Sequence, residues 1–267
     1  MLRQRVITAL ILVPLALALL FVANPAGFAL GIAPLSGVAA TEWCRLAGLQ
    51  TISQLGYLLI TALLMGLLYY FPVLNNLLLP LALCWWLWAA WVLLGFPDRQ
   101  PQGFFGVPGM LLAGPLLLVV PWFALYTLRG QAGGEWLVLF LFLLIWGADI
   151  GAYFAGRRWG RHKLLPRVSP GKTWEGVIGG TLAALVIALL AALLKGRTGL
   201  DIGYFMLVAL AVSWVSVIGD LVESQFKRCA GVKDSGKLLP GHGGVLDRID
   251  SLTIAAPLFG LMMIGQW

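Results

Sequence analysis

Residues 219–250 read GDLVESQFKRCAGVKDSGKLLPGHGGVLDRID, and the rest of the chain is organised around them. The stretch holds ten of the chain's 29 charged residues (18 Lys and Arg plus 11 Asp and Glu) in 32 positions. Most of the remaining sequence is apolar: the 267 residues are 60% hydrophobic, with a mean hydropathy of +0.92. Charges in or beside a membrane are costly, so a cluster of them in such a chain marks a site. Asp220, Asp247 and Asp250 offer hard oxygen donors suited to a cation such as Mg2+. Lys227, Arg228 and Lys233 suit phosphate oxygens. Gly241, Gly243 and Gly244, around His242, let backbone N–H groups approach an anion closely. Together these residues read as a metal-assisted phosphate site.

The composition excludes an ordinary soluble domain. Apolar runs of roughly 17–22 residues match the span of a bilayer core as helix. Only helices and closed barrels satisfy their backbone in lipid, so the expected fold is all-α and polytopic, in a single membrane domain over 1–267. Nine spans are expected, at 6–22, 27–41, 55–71, 77–96, 107–128, 136–155, 177–194, 202–219 and 252–267. The second is short and interrupted by Gly and Pro. The fifth contains Pro108, Pro115 and Pro121, which membrane helices tolerate. Residues 1–134 supply N-terminal helices, and 135–267 carry the site. Trp85, Trp86, Trp88 and Trp91 read as an interfacial belt and packing. Cys44, Cys84 and Cys229 lie far apart and make no metal-ligand spacing.

With a cytoplasmic N-terminus, nine spans leave fifteen basic residues inside: Arg3, Arg5, Arg45, Arg99, Arg157, Arg158, Arg161, Lys163, Arg167, Lys172, Lys227, Arg228, Lys233, Lys237 and Arg248. Three, Arg129, Lys195 and Arg197, fall outside. That is a strong positive-inside bias. It places the loops after the sixth and eighth spans on the cytoplasmic face, where they can share one site. The net charge of +7 is explained by these loops and by anionic ligands or lipids rather than by nucleic acid.

The loop after the sixth span, with its flanks, reads GADIGAYFAGRRWGRHKLLPRVSPGKTWEG from Gly147 to Gly176. Asp149 and Tyr153 are four apart and share a helix face. SPGKT is not a phosphate loop, because the position five before Gly171 is Pro166 and not glycine. Lys172 and Thr173 nevertheless stand just ahead of an expected helix, where free N–H groups and the dipole favour an anion. Arg157, Arg158, Arg161 and Lys163 read more simply as membrane anchors. If the eighth span continues as helix through Arg228, then Asp220, Ser224 and Lys227 share one face; Asp247 and Asp250 share another.

The run SQFKRCAGVKDSGKLLPGHGGVLDRID resembles the signature of the phosphatidate cytidylyltransferases, or CDP-diacylglycerol synthases. The matching positions are Ser224, Phe226, Lys227, Arg228, Lys233, Asp234, Ser235, Pro240, His242, Gly243, Gly244, Asp247, Arg248 and Asp250. The SPGKTWEG and DIGAYFAGR segments resemble that family too, whereas the first half of the chain does so only in hydropathy.

The resemblance implies transfer of the cytidylyl group of CTP to phosphatidate, giving CDP-diacylglycerol and pyrophosphate, in a bacterial inner membrane. On that basis Asp220 and Asp247 are expected to hold Mg2+, with Asp250 as third candidate. Lys227, Arg228, Lys172 and Lys233 are expected to neutralise phosphates. Asp149 and Ser224 would shape the site or hold a second cation, and His242 would orient or hydrogen-bond. Thr173, Asp234, Gly243, Gly244 and Arg248 complete the expected substrate contacts. The partners are CTP, phosphatidate and membrane lipid; a homodimer stays open. Two other readings remain at this point: a CTP-dependent polyisoprenoid kinase, and a transporter of an anionic substrate.

Overall fold

The computed structural model describes residues 2–98, 103–238 and 243–267, with side chains from Leu10 onward. Arg99, Pro240, Gly241 and His242 of the expectations above therefore lie outside the described residues. Nine α-helices occur among those described: α1 (Leu2–Val22), α2 (Pro25–Leu46), α3 (Thr51–Tyr70), α4 (Asn75–Leu94), α5 (Val107–Arg129), α6 (Gly134–Trp159), α7 (Trp174–Leu194), α8 (Leu200–Cys229) and α9 (Leu246–Met263). Each falls on one of the nine apolar runs.

Six segments, from α3 to α8, are long and apolar enough to cross a membrane, the one at α4 starting at Pro72. The chain is thus a polytopic helical membrane protein. The other three helices are less apolar or less fully described: α2 carries Ser36, Thr41, Glu42 and Arg45, and α9 spends its first turn on Asp247, Arg248 and Asp250. In α1, whose side chains are described from Leu10, Leu10–Val22 is an apolar helix. The second run is nevertheless a full helix of 22 residues. Asn24 caps it, its side chain accepting from the Gly27 N–H at 2.7 Å, and Pro25 sits in the first turn, where no partner for its nitrogen is needed.

Helix ends sort into two groups. At one end the Arg129 guanidinium donates to the Leu20 and Ala23 carbonyls at 2.9 and 2.8 Å and pairs with Glu135 at 3.4 Å. Arg197 donates to the Gln266 carbonyl at 3.1 Å, and Lys195 stands over the Trp267 ring. At the other end Trp43 Nε1 donates to the Met110 carbonyl at 2.7 Å, and the C-terminus of α8 meets the N-terminus of α9. Pro115 and Pro121 do not break α5. The Trp run contributes packing: Trp85 stacks with Phe226, and Trp88 meets Phe104 edge-on.

Helices α6 and α7 approach closely because small residues line their contact. A Cβ added at Gly151 would stand 2.6 Å from the Gly179 carbonyl oxygen, so a larger residue there would push the helices apart. Helix α8 is 30 residues, about 45 Å, against a hydrocarbon core of about 30 Å. Its last ten residues, from Asp220, therefore have length to spare beyond the apolar layer.

The all-α expectation needs one correction. Between α6 and α7 the chain forms a two-stranded antiparallel hairpin, β1 (Lys163–Leu165) and β2 (Ser169–Thr173). Pro166 and Pro170 disfavour helix here, and a hairpin pairs the backbone groups that a structureless loop would leave open. Val168 at its turn is buried against the end of α8.

Candidate active site

The two charged segments meet where α6, the hairpin, α8 and α9 converge. Helix α8 runs unbroken through Arg228, so Asp220, Ser224 and Lys227 do share a face. Ser224 Oγ donates to Asp220 Oδ1 at 3.2 Å. Asp220 Oδ2 lies 2.7 Å from Lys172 Nζ, which β2 delivers from the other side. Thr173 ends that strand and caps α7, its hydroxyl accepting from the Gly176 N–H at 3.1 Å.

A second constellation lies one helical turn or two further along α8. Lys227 is 7% exposed; its Nζ donates to Asp247 Oδ1 at 2.7 Å and lies 3.0 Å from Glu223 Oε1. Asp247 also accepts from the Ser235 N–H at 2.9 Å and the Gly244 N–H at 2.8 Å, both on Oδ2. Its carboxylate is thus nearly filled. Asp250 Oδ1 accepts from the Ser251 N–H at 2.6 Å, and Asp149 has no hydrogen-bond or ion-pair partner among the described residues. Gly243 has a φ of +83°, the left-handed region that favours glycine. A Cβ at Gly244 would collide with Ser235 Oγ and the Glu42 carboxylate.

Two cavities open here. The smaller, about 240 Å³, is lined by Asp149, Asp220, Lys227, Asp234, Asp247, Arg248, Asp250 and Ser251. Five carboxylates there face two cations, so the chamber attracts positive charge. The larger, about 530 Å³, runs between α6, α7 and α8; eight Gly, Ala and Val residues line it, with Tyr153, Arg157, Lys172, Thr181, Ser213 and Ser216 among the others. Asp149 and Asp220 line both.

The expected residues are not all equally placed. Lys233 is exposed and lines neither cavity, and Arg228 spends its guanidinium on the Val168 carbonyl at 3.2 Å and the Val232 carbonyl at 3.4 Å. Two buried acids are absent from the expected site residues: Glu223, against Lys227, and Glu42, on α2. The i,i+4 spacing of Glu223 and Lys227 was a usable signal; Glu42 left none near the motif.

A family model described as "Cytidylyltransferase family" matches residues 3–264. The chain belongs to that family. Its cytidylyltransferase relatives include one from Pseudomonas aeruginosa, 46% identical over 265 residues, covering 98% of this chain and 97% of the relative. Another, from Haemophilus influenzae, is 38% identical over 282 residues, covering 97% of each. A third, from Brucella suis, is 44% identical over 195 residues, covering 65% of this chain and 71% of the relative. All three carry the name phosphatidate cytidylyltransferase. The first two matches span nearly the whole chain, so the likeness extends to its first half, where the sequence alone matches only in hydropathy.

Among the described residues no three His, Cys, Asp or Glu side chains gather closely enough to hold a metal unaided. The donors still fit Mg2+, a hard cation that usually takes one or two carboxylates and completes its shell with substrate phosphates and water. Of the carboxylates lining the chamber, Asp149 has no hydrogen-bond or ion-pair partner among the described residues, Asp250 has one on Oδ1, and Asp220 has one on each oxygen, fewer than the four that Asp247 accepts.

Proposed function

We propose that the chain transfers the cytidylyl group of CTP to phosphatidate, releasing pyrophosphate and forming CDP-diacylglycerol. One observation carries this reading beyond family membership: a charged chamber and a largely apolar groove share Asp149 and Asp220 as a common wall. A polar triphosphate and a two-chain lipid phosphate need such a pair of spaces meeting at one point. Family membership sets the reading apart from a polyisoprenoid kinase and from a transporter.

In the reaction an oxygen of the lipid phosphate bonds to the α-phosphorus of CTP, and the bond from that phosphorus to the bridging oxygen of the β-phosphate breaks. The second pKa of a phosphate monoester is about 6, so the nucleophile is largely ionised at neutral pH and needs no strong base. The barrier lies in bringing polyanions together, which calls for positioning and neutralisation. Lys172, at the wall between the spaces, is placed to meet phosphate oxygens from either. Arg248 and Lys227 serve the chamber.

Asp220 would hold Mg2+ with one further carboxylate, Asp250 or Asp149, and substrate phosphates and water would complete its shell; bound there, the cation would neutralise charge on the triphosphate. Asp247, engaged by Lys227 and two backbone N–H groups, would orient the segment around it rather than lead the ligand set. Ser224 would steady Asp220. Asp234, Thr173, Gly243 and Gly244 would shape substrate contacts, as would Lys233 and Arg228 from the rim.

The two sets of helix ends support nine alternating passes, in one domain over 1–267, with the site at the basic end. Positive-inside bias would make that end cytoplasmic, in a bacterial inner membrane. A homodimer is compatible with this reading.

Purified protein with CTP, Mg2+ and phosphatidate should release pyrophosphate only when all three are present. Release of CDP, or no turnover, would overturn the proposal.

A further inference from the structure

Glu42 sits on α2, roughly two hundred positions before the segment it binds, and is 1% exposed. Its Oε2 accepts from the Leu246 N–H at 2.8 Å and from Ser235 Oγ at 3.1 Å. Its Oε1 accepts from the Val245 N–H at 3.1 Å. No Lys, Arg or His side chain forms an ion pair with it among the described residues. Gly236 and Gly244 make the room: a Cβ on either would strike the carboxylate.

A carboxylate removed from water without a cation is expensive, and an apolar side chain would hold α2 against α9 without that cost. What an apolar side chain could not do is engage the first N–H groups of α9, which have no partner within the helix and lie at the positive end of its dipole. Glu42 therefore fixes where α9 begins. Asp247 is the second residue of that helix and Asp250 lies one turn on, so the same contact fixes both carboxylates relative to Asp220 and Lys227. Ser235 and Gly244 are held from the opposite side by Asp247 itself. Glu42 is the member of this pair that comes from outside the signature.

We propose that Glu42 is a positioning residue of the cytidylyl transfer, acting through the start of α9 without touching substrate. The inference rests on the function proposed above. In Glu42→Gln the side chain keeps its size but presents an NH2 group to donors, so at least one hydrogen bond is lost. Because a misplacement of about 1 Å can cost about 100-fold, kcat is expected to fall about 30-fold, with KM for CTP changed less than about threefold. Glu42→Asp, which keeps the charge on a shorter arm, should recover part of the loss. Ser235→Ala, removing one of the three contacts, should lower kcat about fivefold, and the Glu42→Gln/Ser235→Ala double variant should be no worse than Glu42→Gln by more than about twofold.

The readouts are steady-state pyrophosphate release, normalised to folded protein by size-exclusion and thermal melting in the same detergent. A merely structural role predicts less folded protein with unchanged kcat per folded molecule, and that result overturns the inference. So does a Glu42→Gln kcat within about twofold of the parent. If Glu42→Gln does not accumulate, parental kcat in both Glu42→Asp and Ser235→Ala overturns it instead. Parent protein that releases no pyrophosphate sinks the proposed function and this inference together; an active parent with equally active variants sinks this inference alone.

Discussion

Lys227 Nζ and Asp247 Oδ1 are 2.7 Å apart, and the pair joins the end of α8 to the first turn of α9. Glu223, one turn back on α8, flanks the same ammonium at 3.0 Å. A single cation thus sits between two buried carboxylates, and removing it leaves Glu223 without its counter-charge and Asp247 with only the Ser235 and Gly244 N–H groups.

Lys227→Met should therefore destabilise the protein by about 3–5 kcal/mol, the usual effect of breaking a buried ion pair on one side. Adding Glu223→Gln should restore part of that loss, since one of the stranded charges is then gone. Thermal melting of the single and double variants in one detergent measures the coupling. A double variant less stable than Lys227→Met would show that Glu223 does not depend on Lys227.

Asp220→Asn and Asp247→Asn should separate two kinds of carboxylate. Asp220 lies at the wall between the two cavities with an unsaturated carboxylate, so its amide variant should lose Mg2+-dependent turnover with little change in melting temperature. Asp247 is filled by Lys227, Ser235 and Gly244, so Asp247→Asn should cost about 2–3 kcal/mol of stability as well as activity. Equal melting of both variants with the parent would contradict the anchoring role of Asp247.

Lys172 Nζ lies 2.7 Å from Asp220 Oδ2 with both side chains partly exposed, which leaves the ammonium free to follow a phosphate. Lys172→Ala should lower kcat by about 10²-fold, the range typical of a lost electrostatic donor in a water-poor site. Arg in its place keeps charge but changes donor geometry and should rescue only in part. Membrane anchoring alone would give small losses, fully restored by Arg and sensitive to anionic lipid, so kcat and KM for CTP in two lipid compositions decide.

Two glycines of the quoted motifs should respond oppositely. A Cβ at Gly244 meets Ser235 Oγ and Glu42, whereas one at Gly171 meets nothing within 4 Å. Gly244→Ala should abolish most activity, and Gly171→Ala should retain it within about threefold. Comparable loss in Gly171→Ala would mean that substrate itself needs that space.

Topology is open to a direct check. In a background with Cys44, Cys84 and Cys229 replaced, a cysteine at Lys237 should react with an impermeant thiol reagent from the cytoplasmic side. One at Arg197 should react from the opposite side. Labelling of both from one side would remove an odd number of passes between them.

Much of this protein was legible along the chain. The runs that became α1 to α9 announce themselves because a membrane span needs about 20 apolar residues in a row, a local property. The 219–250 stretch stood out for the same reason: charges are rare elsewhere, and i,i+3 and i,i+4 spacing already set Asp220 with Ser224 and Asp247 with Asp250. The hairpin at Lys163–Thr173 was missed, since eleven residues that mix Leu164, Leu165 and Val168 with basic residues and two prolines have too weak a period to reveal two short strands. Which carboxylates are filled and which are open could not be read at all. Asp247 is occupied by Lys227, Asp220 faces a lysine from a different loop, and Glu42 reaches across the fold to cap α9. Such pairings join residues far apart in sequence, and a single side chain meeting a distant backbone N–H leaves no periodic trace; only the packing of the helices brings them within hydrogen-bond distance.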